Sequence, residues 1–294
     1  MSKESSFAIV IPCLDEAGSI AAVLQDIRRT FAGDAMPSVI VVDDGSTDGT
    51  GEIAAGADGI SVQVVRHDRP RGYGEAIKSG ILSSTADAIC LMDGDGQHAA
   101  RDVKRLFDAW RPRTLVVGRR TDPGTGSRRL ARSLLRRWSH AIGGMNLHDS
   151  NSGLMLFPRS LAVRMLPFLP EGMAYSDSFK LLFSLLRMDV LEVPIDVGAR
   201  QAGRSKNTMN DGFKTVMSTF VMVVLINPTR VFLPVGLWML ALGSIWAIPF
   251  LLMGRGLTAV SVTLILGGIM CLFFGLIFRI LAGITQSIIV GADR

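Results

Sequence analysis

Two aspartates two residues apart, Asp93 and Asp95, lie in the stretch LMDGDGQH directly after an apolar run. Gly94 and Gly96 loosen the loop, and Gln97 and His98 follow at once. Carboxylates in D-x-D spacing can grip a divalent cation through oxygen ligands. An isolated pair of this kind is as readily a solvated acidic turn. The elements that carry it therefore decide its meaning.

Those elements alternate. Phe7–Ile11, Val39–Val42, Val62–Val65, Ile89–Met92 and Leu115–Val117 read as buried strands, and the segments 19–30, 50–56, 74–84 and 101–110 read as helices between them. Such alternation predicts an α/β fold with a mostly parallel sheet covered on both faces. Ligands of these sheets bind beyond the carboxyl ends of the strands. The polar clusters fall there: PCLDE after the first strand, DDGSTDG after the second, HDRPRGYG after the third and DGDGQH after the fourth. Four loops of acids, arginines and glycines are thus expected to meet on one rim. Asp93 and Asp95 belong to that site.

Charge is distributed unevenly along the 294 residues. Residues 1–206 hold 26 Lys/Arg and 24 Asp/Glu, whereas residues 207–294 hold five and two. Val231–Met253 is an uncharged run of 23 residues and Leu257–Phe278 one of 22. At 1.5 Å per residue each can cross a hydrocarbon core of about 30 Å. They predict a transmembrane hairpin joined by Gly254, Arg255 and Gly256. Between the two regions, Phe213, Val216, Met217, Phe220, Val221 and Val224 recur at helical spacing behind Asn210, Asp211 and Lys214. This is the pattern of an interfacial helix lying on a membrane. The expected division is a catalytic domain over 1–206, an interfacial helix over 207–229, and a hairpin with its tail over 230–294. A chain ending at Lys206 is then expected to be far more soluble. Phe7–Cys13 is too short for a signal peptide and Asp15-Glu16 follows it, so both ends are expected on the cytoplasmic side. Cys13, Cys90 and Cys271 have no metal spacing and read as buried free thiols.

Taken together, the motifs resemble those of family 2 glycosyltransferases of the GT-A fold, in particular the polyprenyl-phosphate glycosyltransferases akin to dolichyl-phosphate mannose synthase and bacterial undecaprenyl-phosphate glucosyl transferases. IPCLDE resembles the opening V-P-x-x-N-E, with Asp15 where Asn is usual, and VVDDGSTDGT is close to the second motif. RGYGEAIKSG matches R-x-x-G-x-x-x-x-x-G, and MDGDGQH matches D-A-D-x-Q-H with Gly94 in place of Ala. DSNSGL resembles D-x-x-S-G-F, and RQAGRSK resembles R-x-x-G-x-S-K. Each is weak alone, but six in the family's order are specific.

The resemblance implies a metal-dependent, inverting transfer of one sugar from a UDP- or GDP-sugar to a polyprenyl phosphate, undecaprenyl or dolichyl. Asp93, Asp95 and Gln97 would hold the cation, and all-oxygen ligation favours Mg2+ or Mn2+ over zinc. Glu16 and Asp44 match positions that contact ribose and base, with Asp43 beside them and Pro12 shaping the pocket. Arg71 and the helix opening at Gly72–Gly74 bring positive potential to the phosphates. Arg200 and Lys206 would close over the nucleotide.

For the acceptor, Arg129 and Ser133 stand four apart on one helix face and match the family's R-x-x-x-S pair. Arg120 matches a preceding G-x-R, though Arg119 is the alternative. Forked guanidinium donors suit a lipid-borne phosphate. The other arginines of this segment, Arg128, Arg132, Arg136 and Arg137, form a basic face open to anionic membrane lipids. Asp95 is the catalytic acid that the pattern singles out. Asp149 or Asp177 would orient the acceptor or assist proton transfer, and Asp149 alternatively caps the DSNSG turn. No nucleic-acid partner is expected, and homo-oligomers are compatible with the pattern.

Two rival readings remain at this level. One is a processive polysaccharide synthase, whose Q-x-x-R-W finds only the decoy LLRRW at Leu134–Trp138. The other is a silent membrane scaffold, against which the intact Asp93/Asp95/Gln97 set argues.

Overall fold

The computed structural model describes residues 6–34, 36–120, 152–169, 175–196, 217 and 220–291. Within them, seven strands form one sheet: β1 (Phe7–Cys13), β2 (Ser38–Asp43), β3 (Val62–Arg66), β4 (Ala88–Leu91), β5 (Leu115–Arg120), β6 (Met155–Pro158) and β7 (Val190–Ile195). Their order is β3-β2-β1-β4-β6-β5-β7. β1 pairs in parallel with β2 and β4, β2 with β3, and β5 with β7. Only β6 runs against the rest, antiparallel to both β4 and β5.

The five strands expected from the sequence are present, with ends differing by at most three residues. β6 and β7 were not expected. Each is short and contains a proline, Pro158 or Pro194, which weakens the local strand signal. β6 matters for the site. Running backwards between β4 and β5, it brings its own entry, Ser152–Gly153, beside the exit of β4; Met155 pairs with Leu91.

Side chains alternate across the sheet with period two. Ile9, Ile11, Val39, Val41 and Cys90 face one way, onto α1 (Ile20–Thr30), α2 (Thr50–Ala55) and α4 (Ala100–Ala109). Helix α1 covers that face with Ile20, Val23, Leu24 and Ile27, spaced as one helical stripe. Val10, Ile40, Val42, Ile89 and Leu91 face the other way, onto α3 (Tyr73–Ser83), α5 (Arg159–Met165) and α6 (Tyr175–Leu185). Helix α3 lies so close to the sheet that a Cβ at Gly80 would stand 2.3 Å from Val10 Cγ1. That contact gives the last glycine of RGYGEAIKSG a packing reason.

Helices α7 (Thr229–Leu252) and α8 (Ala259–Val290) form the hairpin. Ser261, Gly268, Gly275, Ala282 and Ile289, each seven apart, make the buried stripe of α8, and Gly236, Gly243 and Ala247 make that of α7. A Cβ at Gly268 would meet the Gly236 carbonyl oxygen at 2.9 Å, so the backbones touch. Small residues at heptad spacing are how apolar helices associate without a hydrophobic driving force between them. The outer surface is the opposite of a soluble protein's, with Trp238 67% and Leu252 84% exposed. Such a surface suits lipid.

Helix α8 does not end with the uncharged run. It continues past Arg279 to Val290 and returns to the catalytic domain. Gln286 Nε2 donates to the Ile226 carbonyl at 2.8 Å, and Ile289 is fully buried in the same core as Met222, Val223, Ile226 and Met165. Residues 220–226 are helical, with Phe220, Val221 and Leu225 outward and Met222, Val223 and Ile226 inward. The membrane pair is thus packed into the domain it anchors.

Candidate active site

The carboxyl ends of β1, β2, β4 and β5 share one rim. At the exit of β4, Asp93 is about a third exposed and its Oδ1 accepts a hydrogen bond from the Tyr73 hydroxyl at 2.9 Å. On the other side, Asp93 Oδ2 stands 3.8 Å from His98 Nε2. A Cβ at Gly153 would meet the same Oδ2 at 2.7 Å, so only a glycine lets the entry of β6 floor this carboxylate. Asp95 is buried, and its Oδ1 accepts from the Gln97 amide at 3.0 Å, closing the loop on itself. Burial holds His98 below the usual imidazole range, against the opposing pull of Asp93 and Asp95. It is therefore neutral at physiological pH.

Ser19 precedes α1 in the place of a helix cap but makes no capping bond. Its hydroxyl instead donates to the Gly94 carbonyl at 2.7 Å, tying the D-x-D loop to α1. Beneath that loop lies the Cys13 thiol, 2.6 Å from where a Gly94 Cβ would stand. This gives Gly94 a packing reason. Burial and the surrounding carboxylates raise the Cys13 pKa, so it stays a thiol and acts as packing. Gly94→Ala should cost about 1–3 kcal/mol by overcrowding. Adding Cys13→Ala should recover most of it. Thermal unfolding of both single variants and the double variant gives the coupling; additive losses would mean that the thiol is not the obstacle.

The acids after β2 are engaged with the protein. Asp43 accepts from the Ser46 amide at 2.8 Å and pairs with Arg66 Nε at 3.2 Å. Asp44 accepts from the Arg71 amide at 2.9 Å and the Gly72 amide at 2.8 Å. Its Oδ1 also meets His67 Nδ1 at 2.7 Å, and His67 Nε2 meets Ser79 Oγ at 2.9 Å. A carboxylate only accepts, so Nδ1 carries the proton. These contacts hold the loops at the rim on which both acids lie. Asp15 adopts φ 57°, a left-handed conformation that Asp and Asn tolerate best, and its Oδ1 accepts from the Thr47 amide at 3.0 Å.

The other expected residues divide between rim and undescribed segments. Pro12 is buried at the end of β1, Glu16 is half-buried in the next loop, and Gly74 is buried in the first turn of α3. Arg71 is exposed just ahead of α3, and Arg120 is exposed at the end of β5. Arg120 lies close enough to His98 to help depress its pKa. Asp177 opens α6, with its Oδ1 3.7 Å from Lys180 Nζ. Asp149, Arg129, Ser133, Arg200 and Lys206 lie outside the described residues.

Three contributors to the site were not singled out by sequence reasoning. Tyr73 is an ordinary aromatic at a helix start. Gly153 acquires its role only from β6. Lys180 sits in the apolar stretch SFKLLF and is fully buried; its ammonium donates to the Ser152 carbonyl at 2.7 Å. A buried ammonium must be paired, and a lysine inside an apolar helix is the one available hint. Here it pins the chain one residue before Gly153.

Among the described residues no three His, Cys, Asp or Glu side chains converge as an all-protein metal cage. The donor set is instead two carboxylates two residues apart, one of them partly open. That fits a hard cation such as Mg2+, which keeps waters and binds through one or two carboxylates plus substrate phosphates.

A doubly wound, mostly parallel sheet with a D-x-D loop at its rim defines a glycosyltransferase of the GT-A fold. Residues 8–165 match the model of Glycosyl transferase family 2, and residues 227–281 match that of the GtrB C-terminal hairpin. The chain belongs to glycosyl transferase family 2. It is 31% identical over 213 residues to an undecaprenyl-phosphate mannosyltransferase of Micrococcus luteus, covering 67% of this chain and 85% of that one. It is 28% identical over 222 residues to a polyprenol monophosphomannose synthase of Mycolicibacterium smegmatis, covering 67% and 79%. Glucosyl-3-phosphoglycerate synthase of Mycobacterium tuberculosis, solved with Mn2+, UDP and glucosyl-3-phosphoglycerate, superposes with a TM-score of 0.57 at 22% identity. The match covers 75% of this chain and 80% of that one, and the likeness is one of fold.

Proposed function

We propose that the protein transfers a single sugar from a nucleotide diphosphate sugar to a polyprenyl phosphate at the cytoplasmic face of a membrane. The observation that carries this reading is the union, in one chain, of the Asp93/Asp95 loop with an apolar hairpin packed into the catalytic core. A soluble acceptor would not need α8 to run from lipid into the domain. The names of the two relatives, both acting on polyprenyl phosphates, support the acceptor class.

In this reading Asp93, Asp95 and Gln97 hold Mg2+ or Mn2+. Once bound, the cation supplies Lewis-acid stabilisation of the departing nucleotide diphosphate. Arg71 and the first turn of α3 at Gly74 face the donor phosphates, while Glu16, Pro12 and the loop braced by Asp43 and Asp44 receive the nucleoside. Arg200 and Lys206 close over it. Arg120, Arg129 and Ser133 bind the lipid phosphate. Its monoester oxygen is anionic at neutral pH and attacks the anomeric carbon in line. The bond from that carbon to the diphosphate breaks, and the configuration inverts. Asp149 or Asp177 orients the acceptor; no strong base is required. Residues 207–229 lie at the membrane interface beside the domain of residues 1–206, and 230–294 form the anchor.

The deciding experiment incubates the full chain in detergent with Mg2+ or Mn2+, undecaprenyl phosphate and a panel of UDP- and GDP-sugars. The lipid product is then identified by mass. A product carrying one sugar supports the proposal; a polymer, or free sugar with no lipid product, overturns it.

Donor and acceptor arginines should separate in the same assay. Removing a charge-assisted hydrogen bond costs about 1.5–3 kcal/mol, which is roughly tenfold to more than a hundredfold in binding. Arg129→Ala should raise the KM for polyprenyl phosphate by that factor with donor affinity little changed, and Arg71→Ala should show the opposite bias. Calorimetric donor binding beside acceptor kinetics makes the comparison. Lost donor binding with intact acceptor kinetics in Arg129→Ala would place the lipid-phosphate site elsewhere.

A further inference from the structure

A loop with glycines at 94 and 96 cannot by itself fix where the Asp93 carboxylate points. Something outside the loop must. One oxygen, Oδ1, accepts the Tyr73 hydroxyl at 2.9 Å, and Gly153 closes against Oδ2. Tyr73 is the first residue of α3, and the two amides just ahead of its own are held by Asp44 at 2.9 and 2.8 Å. Asp44 is braced by His67, and His67 by Ser79 on the same helix. The phenol therefore projects from a bracket that spans β2, β3 and α3. A carboxylate only accepts, so the Tyr73 hydroxyl is the donor of this bond.

We propose that Tyr73 is a positioning residue that holds the Asp93 carboxylate in the orientation that binds the divalent cation. The inference rests on the metal-dependent reading above. The hydrogen bond occupies one lone pair of Oδ1 and fixes the carboxylate plane, leaving the remaining lone pairs for the cation. Ligating carboxylates are ordinarily oriented in this way by an outer donor, and losing that donor costs about 10–100-fold in metal affinity or activity.

Tyr73→Phe keeps the half-buried ring and removes only the hydroxyl. Binding of Mn2+ to the full chain in detergent, alone and with UDP or GDP, is measured by the paramagnetic resonance signal of the free ion. The metal dependence of transfer is measured beside it. The variant should bind Mn2+ about tenfold or more weakly. Its KM for Mn2+ should rise in parallel, while kcat at saturating Mn2+ stays within about twofold of the parent, since the oriented state is recovered by mass action. A merely structural role would instead lower kcat at every metal concentration. Equal or tighter Mn2+ binding in Tyr73→Phe, or a kcat loss that saturating Mn2+ does not restore, overturns the role of Tyr73 alone. If the parent chain leaves the Mn2+ signal unchanged even with UDP or GDP present, the metal reading fails and this inference with it.

Discussion

Asp95→Asn leaves the protein folded and unable to transfer sugar. Asn preserves the volume of the buried side chain and an oxygen to accept the Gln97 amide, so the loop keeps its internal hydrogen bond. What it removes is one negative charge from a pair two residues apart. Relieving that repulsion makes the variant at least as stable as the parent, as is usual where a site holds like charges together. In the proposed reading Asp95 is a charged ligand to the divalent cation, whose transition-state stabilisation is worth several kcal/mol, so the catalytic loss should be large. Each 1.4 kcal/mol is a factor of ten, so transfer should fall by at least about a hundredfold. Thermal unfolding and lipid-product formation, measured on one preparation at limiting Mn2+, test both halves. Near-parental activity under those conditions would sink the cation hypothesis.

The second large effect is on stability and falls far from the site. Ile289 and Ile288 are adjacent on α8, yet Ile289 is fully buried in the catalytic core while Ile288 is 60% exposed. Removing the buried side chain creates a cavity that costs about 2–5 kcal/mol, a large part of the roughly 5–15 kcal/mol that a domain possesses. Ile289→Ala should therefore lower the melting temperature of the detergent-solubilised protein by at least roughly 4 °C. Ile288→Ala should leave it unchanged. Equal behaviour of the two variants would mean that the end of α8 does not dock. The same packing bears on truncation. Cutting the chain after Lys206 removes the lipid-facing helices, but it also strips Met222, Val223, Ile226 and Ile289 from the core face formed with α5. The shortened domain would expose that apolar surface.

How much of this was legible beforehand follows from the range of each signal. The alternation of β1 to β5 with α1 to α4 was readable because buried strands and amphipathic helices write their period into neighbouring residues. The D-x-D loop was readable because its donors are two residues apart. The hairpin was readable because a bilayer demands about twenty apolar residues in a row. By contrast, the uncharged run ends at Phe278, before Arg279, and says nothing of how far α8 extends beyond it. The helix continues past the exposed Arg279 because its end docks, Gln286 on the Ile226 carbonyl and Ile289 in the core.

The amino-acid sequence by itself determined the class of fold, the rim on which the acids gather, and the presence of a lipid-facing pair of helices. All of these are local in the chain. Tertiary structure alone decided which groups surround the carboxylates: Cys13 beneath Gly94, Tyr73 on Asp93, and Gly153 behind it, pinned through Lys180. It also decided that Asp43 and Asp44 accept from loop amides, Asp43 pairing with Arg66 and Asp44 with His67 as well. Gly94 and Cys13 are far apart in the chain, and no periodicity relates them. They meet because β1 and β4 are neighbours in the sheet, and close packing then leaves room for one Cβ fewer.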